Sequence, residues 1–149
     1  MTNYQVHLDN QLMNEKKLDE LAIRKMIIRY LKNVEGVAFV TDMEHAADAA
    51  IPELIRERIV NGYNYKRSGI IQVIMEPQIF NSTRETGTSH SAWNPYDSRI
   101  PLLWMGWGVK QGQTYRPVLI TDIAPTISAL LHIQEPNGNI GKPIQELIK

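Results

Sequence analysis

Short apolar runs separated by helical patterns constrain this chain more than any other feature. Val37-Ala38-Phe39-Val40, residues 70–76 and residues 101–105 each read as a buried or half-buried strand, and a shorter strand is expected over residues 4–8. The spacing predicts helices over residues 18–32, 53–61 and from Thr121 or Asp122 to Leu131. In the first helix Ile23, Ile27, Tyr30 and Leu31 share one face, and Lys25, Arg29 and Lys32 line a solvated one. Gly36 follows as a stop signal. Pro52 opens the second helix, where its missing donor does little harm. For the last, Thr121 or Asp122 can cap the free amides, Pro125 falls in the first turn, and Ile123, Ile127, Leu130 and Leu131 are the expected buried side. In the strand at 70–76, Ile71, Val73 and Met75 point one way, while Gln72 and Glu76 leave the other face only partly buried. Alternation of this kind implies an α/β fold, with helices packed on a mixed sheet. No repeat or linker interrupts residues 1–149, which are expected to form a single unit.

Composition removes several function classes. The 149 residues suffice for a real core, and 43% apolar against 21% charged side chains is a globular balance. Sixteen basic and sixteen acidic residues cancel, so no net field favours nucleic acid or an anionic membrane. The absence of cysteine rules out thiolate catalysis, disulfides and zinc–cysteine sites. No segment approaches the roughly 20 apolar residues that span a bilayer. The polar N-terminal residues Met1-Thr2-Asn3-Tyr4 do not resemble a signal peptide.

The chemistry concentrates in the long connection over residues 77–99. There Gly87-Thr88-Ser89-His90-Ser91-Ala92-Trp93-Asn94-Pro95-Tyr96-Asp97 places a histidine among small residues, just ahead of an apolar segment. Loops at strand ends commonly present ligands and catalytic groups, and Tyr96 and Asp97 are candidates to orient the imidazole or its loop. Ser89 and Ser91 adjoin His90, but adjacency in sequence is not a nucleophile–base arrangement. Asp42-Met43-Glu44-His45 follows a strand and has metal-compatible spacing, yet clusters of this kind at strand ends are commonly just solvated turns. His7 and His132 have no such context. Trp104 is expected in the core, with Trp93 and Trp107 packing the loop. There is no phosphate-binding glycine loop, no His-Glu-x-x-His and no Gly-x-Ser-x-Gly.

Five stretches in order carry a resemblance to a known family. They are Asn61-Gly62-Tyr63-Asn64-Tyr65-Lys66-Arg67-Ser68-Gly69, the loop from Gly87 to Asp97, the run from Pro101 to Gly108, Ile120-Thr121-Asp122-Ile123-Ala124-Pro125-Thr126, and Pro136-Asn137-Gly138-Asn139-Ile140-Gly141-Lys142-Pro143-Ile144. On these residues the chain, from about residue 35 to its end, resembles the C-terminal part of alkaline phosphatase superfamily enzymes, and the bacterial PafA-like phosphatases most. The resemblance implies a C-terminal portion of the alkaline-phosphatase-like three-layer sandwich. It implies that His90 is a ligand to one of two zinc ions in an enzyme that hydrolyses phosphate monoesters through a phospho-threonine or phospho-serine intermediate. The nucleophile and remaining ligands of such enzymes lie upstream of the matching region. Similar chains often read Arg-Ser-Gly-Asp where this one has Arg67-Ser68-Gly69-Ile70.

Three expectations follow from that implication. Met1 begins inside a longer periplasmic enzyme, the chain alone is inactive without the N-terminal catalytic half, and exposed edges favour a homodimer of the isolated piece. Alternatives are a stand-alone, non-catalytic binding module of phosphatase-like shape, and part of a phosphodiesterase or sulfatase relative.

Overall fold

The computed structural model describes residues 3–79 and 93–148. The chain divides into two compact units, Met1–Ile100 and Pro101–Lys149.

The first unit is built on a three-stranded antiparallel sheet of β1 (Gln5–Val6), β2 (Val37–Asp42) and β3 (Ile71–Met75), in the order β1-β3-β2. Its helices are α1 (Asn10–Glu15), α2 (Glu20–Leu31), α3 (Glu53–Gly62) and the single turn α4 (Pro95–Ser98), with a 3-10 stretch at Met43–Asp48. The α/β class is as expected. The pairing differs from the mixed sheet anticipated, because every strand pair among the described residues is antiparallel.

Local chemistry sets the boundaries. Asp19 accepts a hydrogen bond from the Ala22 amide at 3.1 Å and caps α2, and Asp9 does the same for α1 through Leu12 at 3.0 Å. Pro52 opens α3 as its sequence position suggested. Ile23, Ile27 and Leu31 are half-buried on α2, but Tyr30, expected beside them, is exposed; the buried neighbour is Arg24. Met43, Ala46, Ile59 and Ile74 form the core, with Phe39, Ile51, Ile55, Tyr63 and Trp93 packed around it. Full burial of an Ile side chain such as Ile59 or Ile74 contributes about 1.5–3 kcal/mol.

The face of β3 that is expected to be half-wet is closed at Gln72, which is only 3% exposed, and open at Glu76 just past the strand. The Gln72 amide is satisfied there. Nε2 donates to the carbonyls of Tyr4 at 3.2 Å and Val73 at 3.1 Å, and Oε1 accepts from Gln5 Nε2 at 3.1 Å. Between Val37 and Phe39 the β2–β3 register shifts, so Val37 pairs with Met75 but Phe39 with Ile74.

The second unit contains one helix of length, α5 (Ile123–Leu131), entered through a 3-10 turn at Ile120–Asp122; a further 3-10 turn lies at Gln145–Leu147. Two expectations fail here. Residues 101–105 form no strand and pair with none among the described residues. Pro125, Thr126 and Ser128 of α5 are buried together with Asp122 ahead of it; of the four residues expected inside, Ile123 and Leu130 are half-buried, whereas Ile127 and Leu131 are exposed. Helical period located the helix correctly, and polar anchoring to the following segment shifts its buried side.

Candidate functional site

The loop that carries the strongest candidate is anchored at both described ends. Residues 80–92, and with them Gly87, Thr88, Ser89 and His90, lie outside the described residues. On the near side, the Gln78 amide donates to the Tyr96 hydroxyl at 2.7 Å; on the far side, Asn94 Nδ2 donates to the same oxygen at 3.3 Å. Ser98 Oγ donates to the Asn94 carbonyl at 3.0 Å, and Trp93 packs against the core. Tyr96 therefore ties the two described stems of the segment together.

The second candidate is engaged elsewhere. The Asp42 carboxylate accepts two hydrogen bonds from Arg24 Nη1, at 2.9 and 3.1 Å, and one from the Glu44 amide at 3.0 Å that starts the 3-10 turn. Arg24 also meets Glu20, and Glu44 at 3.2 Å. Burial alone pulls the Arg24 pKa down; hydrogen bonds to Glu20 and Asp42 and the charges of Asp42 and Glu44 outweigh it, so the net shift is upward. A permanently charged guanidinium in contact with Asp42 repels a metal ion. His45 is exposed, as are His7 and His132, the latter closing α5 in a left-handed conformation with φ +55°. Among the described residues no group of three His, Asp or Glu side chains can hold a metal ion. The described residues do not by themselves fit a zinc centre, for which three or four protein ligands are needed.

Three of the shared stretches turn out to be structural. In the first, the Asn64 amide donates to Ser68 Oγ at 3.0 Å and the Lys66 amide to Asn64 Oδ1 at 3.0 Å, folding a tight turn that ends at Gly69. The Gly69 amide donates to Gln5 Oε1 at 2.9 Å, and a Cβ there would stand 2.5 Å from the Val6 carbonyl oxygen. Only glycine lets β1 approach. The other two stretches meet in the second unit. Asp122 accepts from the Leu119 amide through Oδ2 and from the Lys142 amide through Oδ1, both at 2.9 Å. Thr126 Oγ1 donates to the Asp122 carbonyl at 2.6 Å and accepts from the Ile144 amide at 2.9 Å. A Cβ on Gly141 would fall 2.1 Å from the Thr121 carbonyl oxygen. The sequence points to Thr121 or Asp122 as a cap; the turn residues at 136–141 are the signal that the helix start has a partner.

Close by, Arg116 grips Glu146 with two hydrogen bonds of 2.8 and 3.0 Å, and this guanidinium holds the Glu146 carboxyl down at about 2. Trp107, expected to pack, is exposed; Trp104 is half-buried, and its indole nitrogen has no hydrogen-bond partner among the described residues.

This geometry has close relatives. No protein-family model matches the chain. A protein of Myroides odoratus named calcium-transporting ATPase is 51% identical over 150 residues, covering 100% of this chain and 27% of its own length. Alkaline phosphatase PafA of Elizabethkingia meningoseptica is 47% identical over 146 residues, covering 98% of this chain and 27% of its own. The crystal structure of wild-type alkaline phosphatase PafA superposes with a TM-score of 0.94 at 46% identity, over 99% of this chain and 28% of that one. The fold is thus the α/β fold of an alkaline phosphatase portion. More narrowly, the chain is a homologue of the PafA type and matches its C-terminal portion. It spans about a quarter of the length of the curated relatives it matches.

Proposed function

We propose that the chain forms the C-terminal portion of a zinc-dependent hydrolase of phosphate monoesters, and that His90 is one ligand of its metal centre. The observation that carries this reading is near-complete coverage of the chain, at 46% identity and a TM-score of 0.94, by an enzyme called an alkaline phosphatase. An imidazole is a preferred zinc ligand, and Tyr96 ties together the described residues on either side of the segment that carries His90. The remaining ligands and the nucleophile, on this reading, come from other parts of a longer polypeptide. On this reading the isolated chain is inactive, and the whole enzyme works in the periplasm.

The test is a chimera in which residues 1–149 replace the matching portion of PafA. It is expected to hydrolyse p-nitrophenyl phosphate and, on His90→Ala, to lose activity together with bound zinc measured by mass spectrometry. A folded chimera whose activity and zinc content survive His90→Ala refutes the assignment. Bis-p-nitrophenyl phosphate and a sulfate ester in the same assay separate a monoesterase from diesterase and sulfatase relatives. The name of the Myroides odoratus relative favours a second reading in which ATP is the substrate. ATP hydrolysis faster than that of simple monoesters would select it. No helix among the described residues is long and apolar enough to cross a membrane.

A further inference from the structure

Two asparagines, Asn61 and Asn137, are each followed by glycine, and both are exposed. In such a pair the glycine amide nitrogen can reach the asparagine side-chain carbonyl, because no Cβ on the following residue blocks the approach. Exposure does not separate the two places; the backbone does. Asn61-Gly62 is the last pair of α3, so the attacking nitrogen is held in helical geometry. Asn137 and Gly138 are instead the central residues of a tight turn, closed by the Asn139 amide donating to the Pro136 carbonyl at 3.2 Å. Gly138 stands there in the left-handed region at φ +77°, with open space around it. Its amide donates to nothing among the described residues, and the Asn137 side chain makes no hydrogen bond there either. Asn139 is the contrasting case. Its Nδ2 donates to Glu135 Oε2 and to the Gly141 carbonyl, its Oδ1 accepts from the Gly141 amide, and isoleucine follows it.

We propose that Asn137 is a site of spontaneous deamidation, at which the turn over residues 136–139 ages to isoaspartate. Hydroxide takes the proton of the Gly138 amide, and the nitrogen forms a bond to the Asn137 Cγ. The Cγ–Nδ2 bond breaks, and ammonia leaves with a proton from water, which restores the hydroxide. A second water then opens the cyclic imide at one of its two carbonyls, giving aspartate or isoaspartate. Isoaspartate routes the main chain through the side chain, lengthening it by one carbon, and adds a negative charge close to Glu135. The lengthening falls just ahead of the segment whose Lys142 and Ile144 amides hold Asp122 and Thr126, so an aged turn loosens the start of α5.

The test is to age the folded chain in warm, mildly alkaline buffer and follow both sites by peptide mass spectrometry, reading the small mass gain of an amide turned acid. Asn137 should convert faster than Asn61 by about tenfold or more, since the helix must open locally before Asn61 can react. In urea, where both sites are unfolded, the two rates should converge. Equal rates in the folded chain overturn the proposal, as does an Asn137 that stays intact there while converting in urea. Fragment ions should identify isoaspartate at position 137; aspartate alone would overturn the lengthened turn. Asn137→Asp carries the charge without the extra carbon and is the control for the link to α5. The Ile144 amide should exchange faster in the aged protein than in this variant, and equal exchange would break that link.

Discussion

Replacing Thr126 by valine removes one oxygen from the place where the second unit is most tightly tied. The side chain is completely buried, and its Oγ1 both donates to the Asp122 carbonyl at 2.6 Å and accepts from the Ile144 amide at 2.9 Å. Valine fills nearly the same volume, so no cavity forms, but the Ile144 amide is left in the interior without a partner. An unsatisfied buried donor costs about 1–3 kcal/mol. Thr126→Ser is the control: it keeps the oxygen and deletes a methyl group, for about 1 kcal/mol. The valine variant should lower the urea midpoint with an unchanged slope, and the Ile144 amide should exchange faster by the factor matching its ΔΔG. Since 1.4 kcal/mol is tenfold, that factor lies between about five and about 140. The serine variant should leave Ile144 the slower of the two. Equal stability of valine and wild-type proteins, with Ile144 exchange unaltered, would refute the idea that this hydroxyl ties the helix start to the 139–144 segment.

Two other outcomes are expected. Gly69→Ala pushes a methyl group to 2.5 Å from the Val6 carbonyl and should cost about 1–3 kcal/mol, with β1 amides losing exchange protection before those of β2; uniform protection would contradict it. The Glu146 carboxyl is held down at about 2 by Arg116, below its ordinary 4.5, so its contribution to stability is complete above pH 4.5 and disappears as pH falls towards 2. Carbon-detected NMR titration should show that low midpoint, and Arg116→Gln should return it towards 4.5; an unshifted midpoint in the parent protein would disprove the pairing.

The elements most legible in the sequence were those whose ends carry their own chemistry. Pro52 marked the start of α3, and the strands at residues 37–40 and 70–76 were placed within two residues at either end. What misled was the assumption that apolar means inside. For α5 the period is legible but the buried side is shifted, with Ile127 and Leu131 outside, because Asp122 and Thr126 find their partners in the amides of Lys142 and Ile144. Residues 101–105 have strand propensity, yet a ladder needs a second strand, and propensity carries no information about whether one is present. Helix α1 escaped notice because six residues give barely one repeat of a helical period. Of the site, Asp42 looked like a ligand since sequence does not reveal that Arg24, eighteen positions earlier, reaches it. His90 rests on resemblance and on the stems that Tyr96 joins.

The extra residue in β2 works as a phase adjuster for the sheet. Val37 faces the side of Met75 while Phe39 follows Ile74, so the strand changes parity within three residues. A chain gaining or losing one residue between α2 and Phe39 can absorb the change at that irregularity, without turning Phe39 away from Met43 and Ile59. Length variation among related sequences should therefore gather at positions 33–38 and spare the stretch after them, where a single slip would turn the strand's core-facing residues outward.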